Sequence, residues 1–207
     1  MKQISGWLAL LLFFGATFSG PASAATPVMA RSEFQSAMRK LWEDHITWTR
    51  LYIVSAIADL PDAEPTAQRL LENQVDLGNA IKPYYGDAAG NKLTVLLKEH
   101  ITIAADVIAA AKENNAGKLN DANSRWYANA DAIAAFLSSA NPHAWPQDEM
   151  KSMMHEHLKA TTAEVVARLK KDWQADITAY DNVHRQILGM ADMLSRGIES
   201  QFSTKFN

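Results

Sequence analysis

Three times along the 207-residue chain an acidic residue, a histidine and a branched aliphatic stand in a row: Asp44-His45-Ile46, Glu99-His100-Ile101 and Glu156-His157-Leu158. Each copy falls in a stretch whose apolar residues return every three or four positions, the spacing of one face of an α-helix. His45 shares its face with Leu41, Trp48 and Tyr52, and His100 with Leu96, Leu97, Ile103 and Val107. His157 follows Met150, Met153 and Met154. An imidazole on such a face is turned towards the core, so the recurrence predicts helical hairpins packed side by side with a polar ring in the seam of each.

The rest of the chain agrees with an all-α fold. Alanine, leucine, lysine, glutamate and methionine are frequent, and no alternating valine- or threonine-rich run of strand length occurs. Breakers and caps predict an up-and-down bundle of six helices in three hairpins. The first runs from Ser32, as N-cap, to Leu60 before Pro61, and the second from Pro65 to Lys82, closed by Pro83-Tyr84-Tyr85-Gly86. The third spans Ala89 to Asn114 and is ended by Asn115-Ala116-Gly117; the fourth spans Leu119 to Ala140, before Asn141-Pro142. From Pro146 to Phe202 the apolar period is unbroken. One helix of that length would reach about 80 Å at about 1.5 Å per residue, so a break is expected near Lys171-Asp172, with a sixth helix over Trp173–Phe202.

Residues 1–24 read as an export signal. Lys2 precedes the apolar run that begins Trp7-Leu8-Ala9-Leu10-Leu11-Leu12-Phe13-Phe14, and Ala22-Ser23-Ala24 suits a signal peptidase. Cleavage there leaves 183 residues, a flexible segment over 25–31 and a single helical-bundle domain over 32–207, and losing Lys2 moves the net charge from −3 to −4. The expected location is the periplasm or beyond it. No later stretch is apolar for the roughly 20 residues of a membrane helix. The absence of cysteine rules out disulfides and thiolate ligands, and the mildly acidic, mixed-charge surface gives no basic stripe for nucleic acid.

Spacing from the histidines suggests a shared polar template. His45 precedes Arg69, Asn73 and Asp76 by 24, 28 and 31 residues, and His100 precedes Arg125, Asn129 and Asp131 by 25, 29 and 31. The third hairpin departs from it, with Asp181 24 residues after His157 and His184 near the asparagine slot. Counted back from each turn, these carboxylates fall within about one helical turn of the histidines. Two readings stay open. Buried histidines and asparagines satisfy one another and fix helix register; or His45, His100, His157 and His184, with Asp76 and Asp131 as ligands or partners, hold a transition metal (copper, zinc or iron) or a small polar ligand. Met150, Met153 and Met154, with His155, His157, Met190 and Met193, add soft donors suited to copper, although methionine is also a common core filler. Asn73, Asn129, Trp48 and Arg50 are the candidate ligand-binding residues, although aromatics such as Trp42 and Trp48 more often fill volume between the helices of a bundle.

Catalytic motifs are missing. There is no Gly-x-Ser-x-Gly elbow, no His-Glu-x-x-His and no Walker loop; only Asp181-Asn182-Val183-His184 comes near the paired Glu-x-x-His of ferritin-like sites. No reaction follows from these residues. The phrase Leu41-Trp42-Glu43-Asp44-His45-Ile46-Thr47-Trp48-Thr49-Arg50, with Arg69-Leu70-Leu71-Glu72-Asn73 downstream, resembles a family of exported bacterial all-helical proteins. The resemblance implies an exported helical protein and no particular activity.

Overall fold

A computed structural model describes residues 29–207; the expected export signal and all of the 25–31 segment up to position 28 lie outside the described residues. Five helices follow in order: α1 (Arg31–Ile57), α2 (Ala63–Lys112), α3 (Ala116–Ala140), α4 (Gln147–Leu169) and α5 (Trp173–Gln201), then a 3-10 turn at Ser203–Lys205. Five stand where six are predicted, because the expected second and third helices are joined as α2.

The reason lies at its middle. Pro83 has no amide hydrogen, yet helical structure continues through it and through Tyr84 and Tyr85. The one non-helical residue is Gly86, at φ 82° and ψ 169°, a conformation that only glycine adopts without steric cost. There α2 doubles back, and its arms, 63–85 and 87–112, touch backbone to backbone. A Cβ on Gly78 would lie 2.6 Å from the Gly90 carbonyl oxygen and 1.9 Å from Thr94 Oγ1. Thr94 Oγ1 donates to the Gln74 carbonyl at 3.4 Å across the same contact.

Other boundaries shift by a few residues. Ser32 is not the cap of α1: the N-cap position is Ala30, which makes no side-chain cap bond, and the helix ends at Ile57, before Asp59 at φ 54°. Asn115 opens α3 instead of closing the preceding helix, its Oδ1 accepting from the Lys118 amide at 3.0 Å. Pro146 is the N-cap of α4, one position before the first helical residue. The long final segment does divide at the expected place: Lys171 takes φ 59°, and Asp172 caps α5 by accepting from the Ala175 amide at 3.1 Å. The tail then returns to the start of α1, where the Asn207 amide donates to the Met29 carbonyl at 3.2 Å and Phe206 packs on Phe34 and Tyr84.

The helices close into a ring: α1 packs on α2 and α5, and α3 lies between α2 and α4, with α4 beside α5. Within it α1, the second arm of α2 and α4 contribute matching levels to the interior. His45, His100 and His157 form one level; one turn further along each helix stand Thr49, Ala104 and Thr161; one turn beyond these stand Ile53, Ile108 and Val165. That last trio forms an apolar cluster of its own, separate from the main core. Among the described residues no helix is long and apolar enough to cross a membrane.

Candidate functional site

The three recurrent histidines meet at mid-bundle. His45, His100 and His157 are 3%, 3% and 5% exposed, and the His157 ring centroid lies 6.0 Å from that of His45 and 6.4 Å from that of His100. Each sits on an inward helical face, as the apolar spacing requires. Trp42 lies edge-on to His45 at 5.7 Å, and Trp126 lies 5.4 Å from His100.

Each ring is held from behind by a side-chain amide 29 residues further along. His100 Nδ1 lies 2.9 Å from Asn129 Oδ1, and His157 Nδ1 lies 3.1 Å from Gln186 Oε1. Both amides are themselves anchored: Asn129 Nδ2 donates to the Leu96 carbonyl at 3.1 Å, and Gln186 Nε2 to the Met153 carbonyl at 3.2 Å. With the amide oxygen facing the ring, Nδ1 of these two histidines carries the proton and Nε2 keeps its lone pair.

His45 is held differently. Gln74 Nε2 lies 3.3 Å from its Nδ1 but also donates to the Leu70 carbonyl at 2.7 Å and to Asn73 Oδ1 at 3.1 Å. Asn73 Nδ2 in turn donates to the Leu41 carbonyl at 3.0 Å. The task that Asn129 performs alone is thus divided between two neighbours. Gln74 Oε1 is buried without a partner among the described residues; turning this amide over would offer that oxygen to Nδ1, at the expense of the bonds to Leu70 and Asn73.

All three rings are neutral near pH 7. Burial, reinforced by His157 and then His100, holds His45 well below its ordinary value. Burial and then His157 bring His100 to about 3, against the pull of Asn129, and burial brings His157 to about 4 against that of Gln186. Neutral imidazole is the form that binds a metal ion. No hydrogen bond to Nε2 of any of the three is formed among the described residues.

Two cavities flank the rings, and all three histidines line both. The one towards Gly86, of about 40 Å³, is walled by carbon and by Met38, Met154 and Met190. The other, of about 90 Å³, extends through the Thr49, Ala104 and Thr161 level to Ile53, Ile108 and Val165.

The remaining candidates lie elsewhere. His184 is on the outer surface, with Nε2 3.2 Å from Glu43, because its neighbour Val183 takes the inward position. Asp131 faces outward and pairs with Lys151 at 2.8 Å and His155 at 2.7 Å, and the Lys151 contact holds its carboxyl below the usual range. Asp76 is exposed. Equal distance from the turn is not enough: both carboxylates lie two or three positions past the inward amide, on the outer face. Trp48 stacks under Arg69 at 5.2 Å.

Arg50 belongs to a second buried cluster. It donates to Glu164 Oε1 at 2.9 Å and to both oxygens of Asp176, while Arg168 reaches Asp176 Oδ2 at 3.2 Å. Glu164 and Asp176 are each 1% exposed. Burial pushes the Glu164 carboxyl up to about 7 despite Arg50, whereas the Arg50 hydrogen bond keeps Asp176 below its ordinary value.

Sequence reasoning passed over Gln74, Gln186, Glu164 and Asp176. A uniform count of 29 from each histidine would have found both glutamines. Among the described residues no group of three or more histidines, aspartates and glutamates stands at metal-holding spacing. Set against family models, curated proteins and solved structures, the chain shows no match to any of the three.

Proposed function

We propose that the protein binds a transition-metal ion, copper(I) first, at Nε2 of His45, His100 and His157, and that it does so as an exported periplasmic bundle built from three copies of one hairpin. The supporting observation is the hydrogen bonding of the rings. Two are fixed through Nδ1 by an amide anchored to backbone, the outer support that ligating histidines commonly have, while Nε2 makes no hydrogen bond among the described residues. A layer that only set helix register would be expected to use both nitrogens, because polar groups in a protein core are generally hydrogen-bonded. The thioethers of Met38, Met154 and Met190 on the adjoining cavity favour a soft ion over a hard one. The common 29-residue step from ring to amide supports the threefold duplication.

The second reading, a purely structural layer, draws on the ring separations. Three imidazoles sharing one ion at about 2.0–2.1 Å bring their centroids to about 5 Å, against 6.0 and 6.4 Å here. Binding therefore needs His157 to close on each of the other two rings by about an ångström and His45 and His100 to approach each other as well, and His45 needs its Nε2 lone pair freed by the Gln74 turn-over. Metal content separates the two. Untagged protein loaded under reducing conditions should retain one copper per chain, zinc and iron being measured alongside, and His157→Asn should lose it while staying helical. Folded wild-type protein with substoichiometric copper, zinc and iron would overturn the proposal.

A further inference from the structure

The larger cavity has a different chemistry from the ring layer it adjoins. One turn beyond each buried histidine stands a small side chain: Thr49, Ala104 and Thr161. Their size makes the space. The two hydroxyls do not serve it, because Thr49 Oγ1 donates to the His45 carbonyl at 2.8 Å and Thr161 Oγ1 to the His157 carbonyl at 3.0 Å. What they leave towards the interior is carbon. Two turns beyond the histidines, Ile53, Ile108 and Val165 close the level with branched aliphatics. The cavity of about 90 Å³ is therefore bounded by aliphatic side chains on its far side and by the three buried imidazoles on its near side.

From this geometry we infer that the cavity between the imidazoles and the Ile53, Ile108 and Val165 level is a binding site for a small apolar molecule, of the size of dioxygen or a light hydrocarbon. No charged side chain lines it, so an ionic ligand would meet no opposite charge. Besides the ring nitrogens its polar groups are Asn123, Tyr52 and three threonines whose hydroxyls donate to helix carbonyls, and the rest of the wall is apolar. An apolar cavity of about 150 Å³ takes up benzene or xenon and stays dry; at about 90 Å³ this one suits the smaller of those guests. The buried rings of His100 and His157, whose Nε2 atoms make no hydrogen bond among the described residues, line the same space, so a guest there lies beside the proposed metal position. The inference does not require that position to be filled.

Xenon is the probe. Metal-free protein is examined by xenon-129 NMR and in crystals pressurised with xenon, so that a failure of copper binding leaves the test intact. The expected result is one xenon atom between the imidazoles and Ile53, lost in Ala104→Leu and in Thr161→Ile, each of which fills the space from a different helix, and kept in Thr49→Val, which preserves its shape. Two fillings guard against one variant failing to fold. Absence of xenon from the wild-type cavity, an ordered water cluster in its place, or equal xenon uptake by a folded filling variant would overturn the inference.

Discussion

Acidification tests the buried rings through their protons. His100 and His157 have folded values of about 3 and about 4, below an ordinary value near 6.5, so between these limits the unfolded chain holds protons that the folded protein excludes. Their contribution is complete above about pH 6.5 and is lost as pH falls towards the folded values. At pH 5 each of the two removes about 2 kcal/mol relative to pH 7, and His45 acts in the same direction. Glu164 opposes them: its folded value of about 7 exceeds its ordinary 4.5, so the folded state gains a proton over that interval and about 2 kcal/mol returns. Asp176, held below 3.8, acts only at lower pH. The net loss of at least about 2 kcal/mol is a large share of the roughly 5–15 kcal/mol that holds a domain folded. His157→Asn is the informative variant, because an asparagine amide keeps a donor near Gln186 Oε1 and does not titrate. Urea unfolding followed by helical circular dichroism at pH 7 and pH 5 should show the variant less stable at both but losing about 2 kcal/mol less between them. An equal pH-dependent loss in variant and wild type would refute the proton linkage.

Three further perturbations have definite signs. Asn129→Leu leaves His100 Nδ1 without its acceptor and should cost about 1–3 kcal/mol in chemical denaturation, with His45 and His157 still in place. Arg50→Met strips two buried carboxylates of their main partner; a loss of about 3–5 kcal/mol is expected, lessened when Glu164→Gln is added. Gly78→Ala drives a methyl to within 1.9 Å of Thr94 Oγ1 and 2.6 Å of the Gly90 carbonyl oxygen, so about 1–3 kcal/mol should be lost even with Thr94→Ala, because the backbone contact remains.

The inward placement of His45, His100 and His157 was legible because a helical face repeats at short range and each histidine sits among its apolar neighbours. The break at Lys171-Asp172 was legible for a related reason: a chain whose core period never falters still has to fit the length of its neighbours. Which polar group would meet each ring was harder, since a partner on the next helix depends on register to within one residue. In the first hairpin Asn73 looked like the counterpart of Asn129, but Gln74 approaches the ring and Asn73 takes the carbonyl of Leu41. In the third, attention to charge favoured Asp181 and His184, while the inward position belongs to the uncharged Gln186. The chain reversal within α2 falls at Gly86, the last residue of the expected Pro83-Tyr84-Tyr85-Gly86 closure, whereas Pro83, which marks a helix end in most settings, lies within the first arm. The network of Arg50, Glu164 and Asp176 joins residues more than a hundred positions apart, a separation at which spacing carries no information.

The most direct measurement is a long-range nitrogen-15 NMR spectrum of the six histidine rings, recorded before and after one equivalent of copper(I) under reducing conditions. The Nε2 signals of His45, His100 and His157 should move together and saturate at one equivalent, while those of His143, His155 and His184 stay where they are. Movement confined to the three outer histidines, or none in the buried three, would contradict a shared centre.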